Sequence, residues 1–207
     1  VTIEFQRQLF TADWHLDHRN ILSPTERKFE NVLEMGREFF QQLEQMVKPG
    51  DILYYLGDLT LNHKIAGEMI EQIVNVVKQV VFVFGNHDDA RNVIAASKGV
   101  VWTGDIKQIK LRVTEPLATA HFGTPHTETF PCVLCHYPMR SWNGSTHGFR
   151  HLHGHSHGKA REWRNALDVG IDNAYKLLGA YRPFTADEVR EQIDRINKEV
   201  KFEGRKD

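Results

Sequence analysis

The chain has 207 residues, with 26 lysines and arginines against 27 aspartates and glutamates, a net charge of -1 and a pI of about 6.9. That balance excludes a broad basic face for gripping a polyanion. A content of 41% hydrophobic and 26% charged residues excludes a disordered or fibrous chain, and the length suits one domain over residues 1–207 that needs no disulfide or structural metal.

The opening "VTIEFQRQLFTADWH" carries Glu4, Arg7 and Asp13 where a secretory leader needs an uninterrupted apolar run, and no later stretch reaches membrane-spanning length. A cytoplasmic protein with no membrane partner is the expectation. Short apolar runs at 9–10, 51–56 and 80–84 predict buried strands. Between them Val32, Met35, Phe39, Leu43 and Met46, and then Ile65, Met69, Ile73 and Val76, recur at helical spacing. Alternation of this kind predicts β-α-β crossovers and a parallel sheet. From about residue 100 the pieces "VVWT", "IKLRV", "CVLC" and "ALDVG" predict a second, more antiparallel sheet. Cys132 and Cys135 are spaced as C-x-x-C, but residues three apart on a strand face opposite ways, so they read as ordinary buried cysteines rather than a redox or zinc pair. Thr185 and Glu188 form a capping box ahead of Val189, Ile193, Ile196 and Val200, which predicts a terminal amphipathic helix.

Each buried run ends in residues able to bind a hard cation: Asp13-x-His15, Gly57-Asp58, Gly85-Asn86-His87-Asp88, and His136 after the run at 132–135. Any one of these alone is an ordinary turn or cap. Together they lie where ligands of open α/β sheets collect, beyond the carboxyl ends of the strands. The stretch "RHLHGHSHG" at 150–158 adds His151, His153, His155 and His157 on alternate positions. Side chains two apart share a strand face, so these four imidazoles could converge on one point if the strand ran through, but "HGHSHG" reads as a strand end and loop. Gly154 and Gly158 let the backbone turn tightly there.

The ordered set D-x-H at 13–15, G-D at 57–58, G-N-H-D at 85–88, a lone His136 and G-H-x-H at 154–157 resembles the calcineurin-like metallophosphoesterases. The stretch "LCHYPMRSWNGSTHGFRHLHGHSHG" is similar to a small bacterial and phage branch described only as predicted phosphoesterases or phosphohydrolases. The resemblance implies an α/β fold, a four-layer αββα sandwich of two mixed β-sheets flanked by helices. It also implies a two-metal centre, one ion taking Asp13, His15 and His157, the other Asn86, His136 and His155, with Asp58 bridging. Such thiolate-free ligands suit Mn2+ foremost, then Zn2+, Fe2+ or Ni2+, over Ca2+.

By the same resemblance the chain is a phosphohydrolase in which a water activated between two cations attacks a phosphate ester, a phosphodiester ahead of a monoester. His87 then meets the phosphate and protonates the leaving oxygen, and Asp88 either orients His87 or caps its loop. His18 and Asn20 are expected at the phosphate, with Asp17 and Arg19 solvated. Arg140, Asn143 and His147 form either a substrate-facing loop or an ordinary polar hairpin. Trp142 stacks a base or packs; His151 and His153 back the ligands or edge the core. Leu61 stands where purple acid phosphatases place a tyrosine, so no iron-tyrosinate site is expected. The protein phosphatase branch is a poor fit, because the chain is short and carries a late "GHSHG". A small phosphodiester or nucleotide-like ester is the expected substrate. Two readings compete: a nuclease of the same fold acting on single-stranded or duplex nucleic acid, and a non-enzymatic metal-binding module.

Overall fold

The computed structural model describes residues 6–114, 127–161 and 163–203; Glu4 lies outside them. Strands β1 (Gln8–Thr11), β2 (Ile52–Tyr55), β3 (Val80–Val83) and β4 (Val100–Gly104) run parallel in the first sheet, and the short β9 (Phe184–Thr185) closes it antiparallel to β1. The order is β4-β3-β2-β1-β9. The first three are buried along their whole length, which is why they read as unbroken apolar runs rather than alternating ones.

Helices α1 (Val32–Met46), α2 (Ala66–Val77) and α3 (Arg91–Ala96) make the crossovers. Asn31 starts α1 by accepting from Leu33 N and Glu34 N, both at 3.0 Å, and the predicted stripe through Val32, Met35, Phe39 and Leu43 is buried. In α2 the stripe is shifted from the expected one. Ala66, Ile70, Ile73 and Val77 enter the core, while Ile65, Met69 and Val76 are half-buried and turn toward α1. Two neighbouring helical stripes of this segment are both apolar, and periodicity alone cannot choose between them.

The second sheet has the order β5-β6-β7-β8, from β5 (Ile106–Thr114), β6 (Thr127–Cys135), β7 (Arg150–His153) and β8 (Ala166–Asp168). Only β5 and β6 pair antiparallel; β6–β7 and β7–β8 are parallel. The second sheet is nevertheless the more antiparallel of the two, with nine antiparallel residue pairs between β5 and β6 against two between β1 and β9. The placement of "VVWT" in it is corrected: this stretch is β4, delivered to the first sheet by the six-residue α3, which is too short to leave a clear period.

Core residues fill the space between the sheets, Phe10, Leu56 and Val83 from one against Leu134, Leu152 and Leu167 from the other. Helix α4 (Ile171–Leu178) follows β8. Helix α5 (Ala186–Glu203) adds Val189, Ile193 and Ile196 to the inter-sheet core. Its capping box is formed: Thr185 N donates to Glu188 Oε2 at 2.9 Å, and Glu188 N to Thr185 Oγ1 at 3.3 Å.

Register decides what meets at the site. Thr11 pairs with Tyr55, and Tyr55 with Phe82, so the residues following these strands emerge side by side. On the second sheet Leu134 pairs with Leu152, which brings His136 level with Gly154. The sheets join at this end through the bridge between Ala12 and Gly170 and the bond from Ile171 N to Ala12 O at 3.0 Å.

Candidate metal centre

The loops after β1 and β2 are zipped together: Asp13 N donates to Gly57 O at 2.9 Å, His15 N to Asp58 O at 3.1 Å and Leu16 N to Leu59 O at 2.8 Å. Their backbones take an unfavourable shape. Asp13, His15, Asp58, His155 and His157 have φ values of 60°, 50°, 58°, 69° and 51°, in the left-handed region that costs a side-chain-bearing residue about 1–2 kcal/mol. Glycine would relieve that cost and remove the ligand. Asp17, Glu26, Lys78 and Asn165 share that region outside the site, so what sets these five apart is that their side chains gather into the candidate ligand groups.

Five strained residues and His136 form two trios, Asp13, His15 and His157 in one and Asp58, His136 and His155 in the other. Within each, the candidate ligand atoms all lie within 4.8 Å of one another. Each trio draws on both sheets. Asp58 sits between them, its Oδ2 lying 3.5 Å from His15 Nε2 and 3.4 Å from His136 Nε2. Both nitrogens are buried without a hydrogen-bond partner.

Orphaned buried nitrogens of this kind cost free energy, and a shared carboxylate between them is the donor set of a pair of divalent cations. Nδ1 of the His136 ring donates to Leu56 O at 2.7 Å, which leaves Nε2 as the nitrogen that faces Asp58. Burial pushes the Asp13 carboxyl up to about 7 and pulls the His15 imidazole down to about 3. At Asp58 burial works upward, but the neighbouring His136 and His15 rings and the His87 N–H outweigh it and hold the carboxyl at about 2. The Asp58 carboxylate thus lies between a His15 ring that burial keeps neutral and a His136 ring that, against the pull of burial, Asp58 and Asp13 lift to about 9.

Close packing holds the ligands in place. His155 N donates to both oxygens of Asp13, at 3.0 and 2.9 Å. A Cβ on Gly154 would stand 2.6 Å from Asp13 Oδ2 and from Ala12 Cβ, so this glycine serves close approach and only Gly158, with φ of 70°, serves the turn. Asp88 accepts from Asp58 N, Leu59 N and Gly85 N at 2.8, 3.0 and 2.7 Å. Both its oxygens are thereby spent on bracing the G-D and G-N-H-D loops, and of the two roles open to it the loop cap is the one its bonds describe.

The sequence model of the calcineurin-like phosphoesterase family matches residues 7–191. The chain belongs to that family. Over 77 residues it is 36% identical to the uncharacterized protein MJ1445 of Methanocaldococcus jannaschii, a match covering 37% of this chain and 44% of that relative, so the shared region spans under half the relative's length. The fold is similar to that of the protein of unknown function AQ665 from Aquifex aeolicus, with a TM-score of 0.65 and 20% identity over 91% of this chain and 100% of that one. Membership and the two trios together support a metal-dependent phosphoesterase, a hydrolase of the calcineurin-like class. No described helix is long and apolar enough to cross a membrane.

In this calcineurin-like phosphoesterase the remaining candidates fall into two groups. Near the trios, His87 is half-buried with its ring 5.4 Å from that of His15, and its N–H donates to Asp58 Oδ1 at 3.0 Å. Asn86, on the same turn, is exposed. The His18 ring lies 5.5 Å from His15, and Asn20 is exposed on a 3-10 turn spanning Arg19–Ile21. Asp17 is exposed but accepts from Asn62 Nδ2 at 2.8 Å.

Away from the trios, Arg140 borders a cleft with Trp163, Arg164 and Asn165, and Asn143 one with Ile106, Gln108 and Met139; neither cleft contains a candidate ligand. His147 is exposed beside Thr146 Oγ1. The 137–149 connection folds down the outer face of the second sheet, anchored by Trp142 against Val133 and Ala166. Trp142 is only 8% exposed and donates to Phe149 O at 2.9 Å, so it packs.

The four histidines do not converge. His151 and His153 project from β7 opposite the core residue Leu152, and His151 links β6 to the connection after it, its Nδ1 donating to Val133 O at 3.1 Å and its Nε2 accepting from Met139 N at 3.2 Å. His155 and His157 leave the strand and go to different trios. Four residues with no earlier assignment surround the site: Arg27, Asp168, Asp172 and Tyr137. Tyr137 directly follows His136, touches the rings of His136 and His155 at 5.1 and 4.9 Å, and is 43% exposed.

Proposed function

We propose that this domain hydrolyses a small phosphodiester or nucleotide-like phosphate ester at a centre of two divalent cations, with Mn2+ the preferred ion and Zn2+, Fe2+ or Ni2+ substitutes. The observation that carries the reading is the position of Asp58 Oδ2, 3.5 and 3.4 Å from two buried, unpartnered imidazole nitrogens of different trios. Asp13, His15 and His157 would hold one ion, His136, His155 and Asn86 the other, and Asp58 both. Divalent cations so held supply Lewis acidity, acidifying water and neutralising charge on phosphoryl oxygens.

The chain's own part is positioning and proton transfer. His87, half-buried at the rim and anchored through its backbone to Asp58, donates a proton to the leaving oxygen. His18 and Asn20 lie on the loop beside His15, where they can meet the remaining phosphate oxygens. With Trp142 packed away, Tyr137 offers the exposed aromatic surface for a base or aryl group at the second trio. The near-neutral pI of about 6.9 favours a small ester over a duplex, whose binding relies on many cationic contacts.

The test is one assay panel on Mn-loaded protein: bis-p-nitrophenyl phosphate, p-nitrophenyl phosphate, cyclic and linear dinucleotides, single strands and duplex DNA at near-physiological salt. Small diesters should turn over fastest. Efficient duplex digestion without small-diester turnover would replace this reading with a nuclease, and metal binding with no hydrolysis at all would leave a binding module.

A further inference from the structure

Behind the first trio lies an ion pair that no part of the catalytic reading uses. Arg27 enters from the loop before α1 with a side chain that is 0% exposed. Each of its N–H groups has an acceptor: Nε donates to Asp172 Oδ1 at 2.7 Å, Nη2 to Asp172 Oδ2 at 2.8 Å and Asp13 O at 2.6 Å, and Nη1 to Trp14 O at 2.8 Å and Met35 Sδ at 3.2 Å. Asp172, in the first turn of α4, also receives His157 Nδ1 at 2.7 Å.

We propose that Arg27 and Asp172 are positioning residues for the Asp13–His15–His157 metal position, setting the His157 tautomer and gripping the D-x-H loop from behind. This rests on the two-metal reading above. An ionised carboxylate can only accept, so the proton must sit on His157 Nδ1 and the lone pair on Nε2, the form a cation needs. The same guanidinium holds the carbonyls of Asp13 and Trp14, on a loop whose flanking ligands keep left-handed φ angles of 60° and 50°. A bidentate fork matches this task because it fixes direction as well as charge.

Stability is a poor account of the pair, since apolar residues of like volume commonly replace buried ion pairs without loss. Its bonds instead converge on two of the three ligands of one trio. His136, in the other trio, is oriented by the neutral carbonyl of Leu56. The clamp should therefore act on one metal position only.

The test is calorimetric titration with Mn2+, elemental analysis of retained metal and circular dichroism, on Asp172→Asn and on the double variant Arg27→Met/Asp172→Leu. The double variant removes both charges together and so leaves no unpaired buried charge to unfold the chain. In either folded variant one Mn2+ equivalent should weaken about 10- to 100-fold and the other by less than about threefold. In a His155→Ala background, which keeps the first trio, the surviving equivalent should weaken by the same factor. Folded variants that bind both equivalents normally, or lose both equally, would overturn the proposal. An unaltered protein that takes up no more than one Mn2+ would instead overturn the two-metal reading, and the same titration shows which has failed.

Discussion

Asp58 gives its two oxygens to different tasks: Oδ1 accepts the His87 N–H at 3.0 Å, and Oδ2 faces His15 and His136. Asp58→Asn preserves the shape and drops the charge, so elemental analysis should find both metal positions depleted together. His87→Asn keeps the N–H on Asp58 and removes only the ring. Its metal content should stay near normal while turnover falls about 100- to 10,000-fold; a folded His87→Asn protein that had lost its metals would end the acid assignment. Proton linkage at the same residues predicts how chelated protein responds to pH. Burial raises Asp13 from 3.8 to about 7, so its contribution falls with rising pH; burial lowers His15 from 6.5 to about 3, so its contribution rises. These oppose one another up to pH 6.5. At His136 burial acts downward, but Asp58, Asp13 and the Leu56 carbonyl outweigh it and lift the ring to about 9. The folded chain then holds a proton that the unfolded chain releases, and stability is lost as pH rises from 6.5 to 9. Thermal melts in chelator should show that decline, and Mn-loaded protein should not, because the same nitrogen then carries no proton. Among the candidate ligands, Asp13, His15, Asp58 and His136 were legible in the sequence because each follows a strand with an apolar run, whereas His155 and His157 follow β7, "RHLH", and were legible only through the histidine pattern. Arg27 and Asp172 were not, since 145 positions separate them and an arginine in a polar loop looks solvated until its partners are known.

At the scale of elements, β7 shows where a reading by pattern stops. Alternation put four histidines on one face, yet the strand ends at His153, and the left-handed residues after it send His155 and His157 to separate trios. Only a backbone angle, invisible in composition, makes that division. The capping box of α5 was legible for the opposite reason, because its bonds join Thr185 to Glu188 within one turn. Of the two readings open to Arg140, Asn143 and His147, packing favours the polar hairpin, because beyond Tyr137 the connection lies on the outer sheet face, pinned by Trp142 and His151. Trp142→Ala should cost about 3–5 kcal/mol in denaturant melts. Trp142→Phe, a milder change, should leave KM for small diesters unaltered; a large rise in KM would return this side chain to the substrate. In β6, burial pushes the Cys132 thiol up to about 12 and raises that of Cys135 as well. Neither should react with a thiol reagent at pH 8 in the native state, and both should react in denaturant. Fast native labelling would contradict the buried assignment.

Among the described residues the sheets are joined in different ways at their two ends, and at the site end the Ala12–Gly170 bridge accompanies the trios. At one end α5 reaches the starts of the second-sheet strands, through Arg190 with Glu128, Arg150 with Asp194, and Asn165 N with Asn197 Oδ1 at 2.9 Å. At the other end the trios each take residues from both sheets. The molecule resembles a book with α5 as its spine and the metal centre as its clasp. Loading the clasp stabilises the closed form by mass action, about 2.7 kcal/mol per ion at a hundredfold excess over Kd. The consequence is directional. Chelation should leave amide hydrogen exchange along α5 and the strand starts unchanged, while the loops after β1, β2, β6 and β7 exchange faster together, as the covers part at the fore-edge and the binding stays sewn.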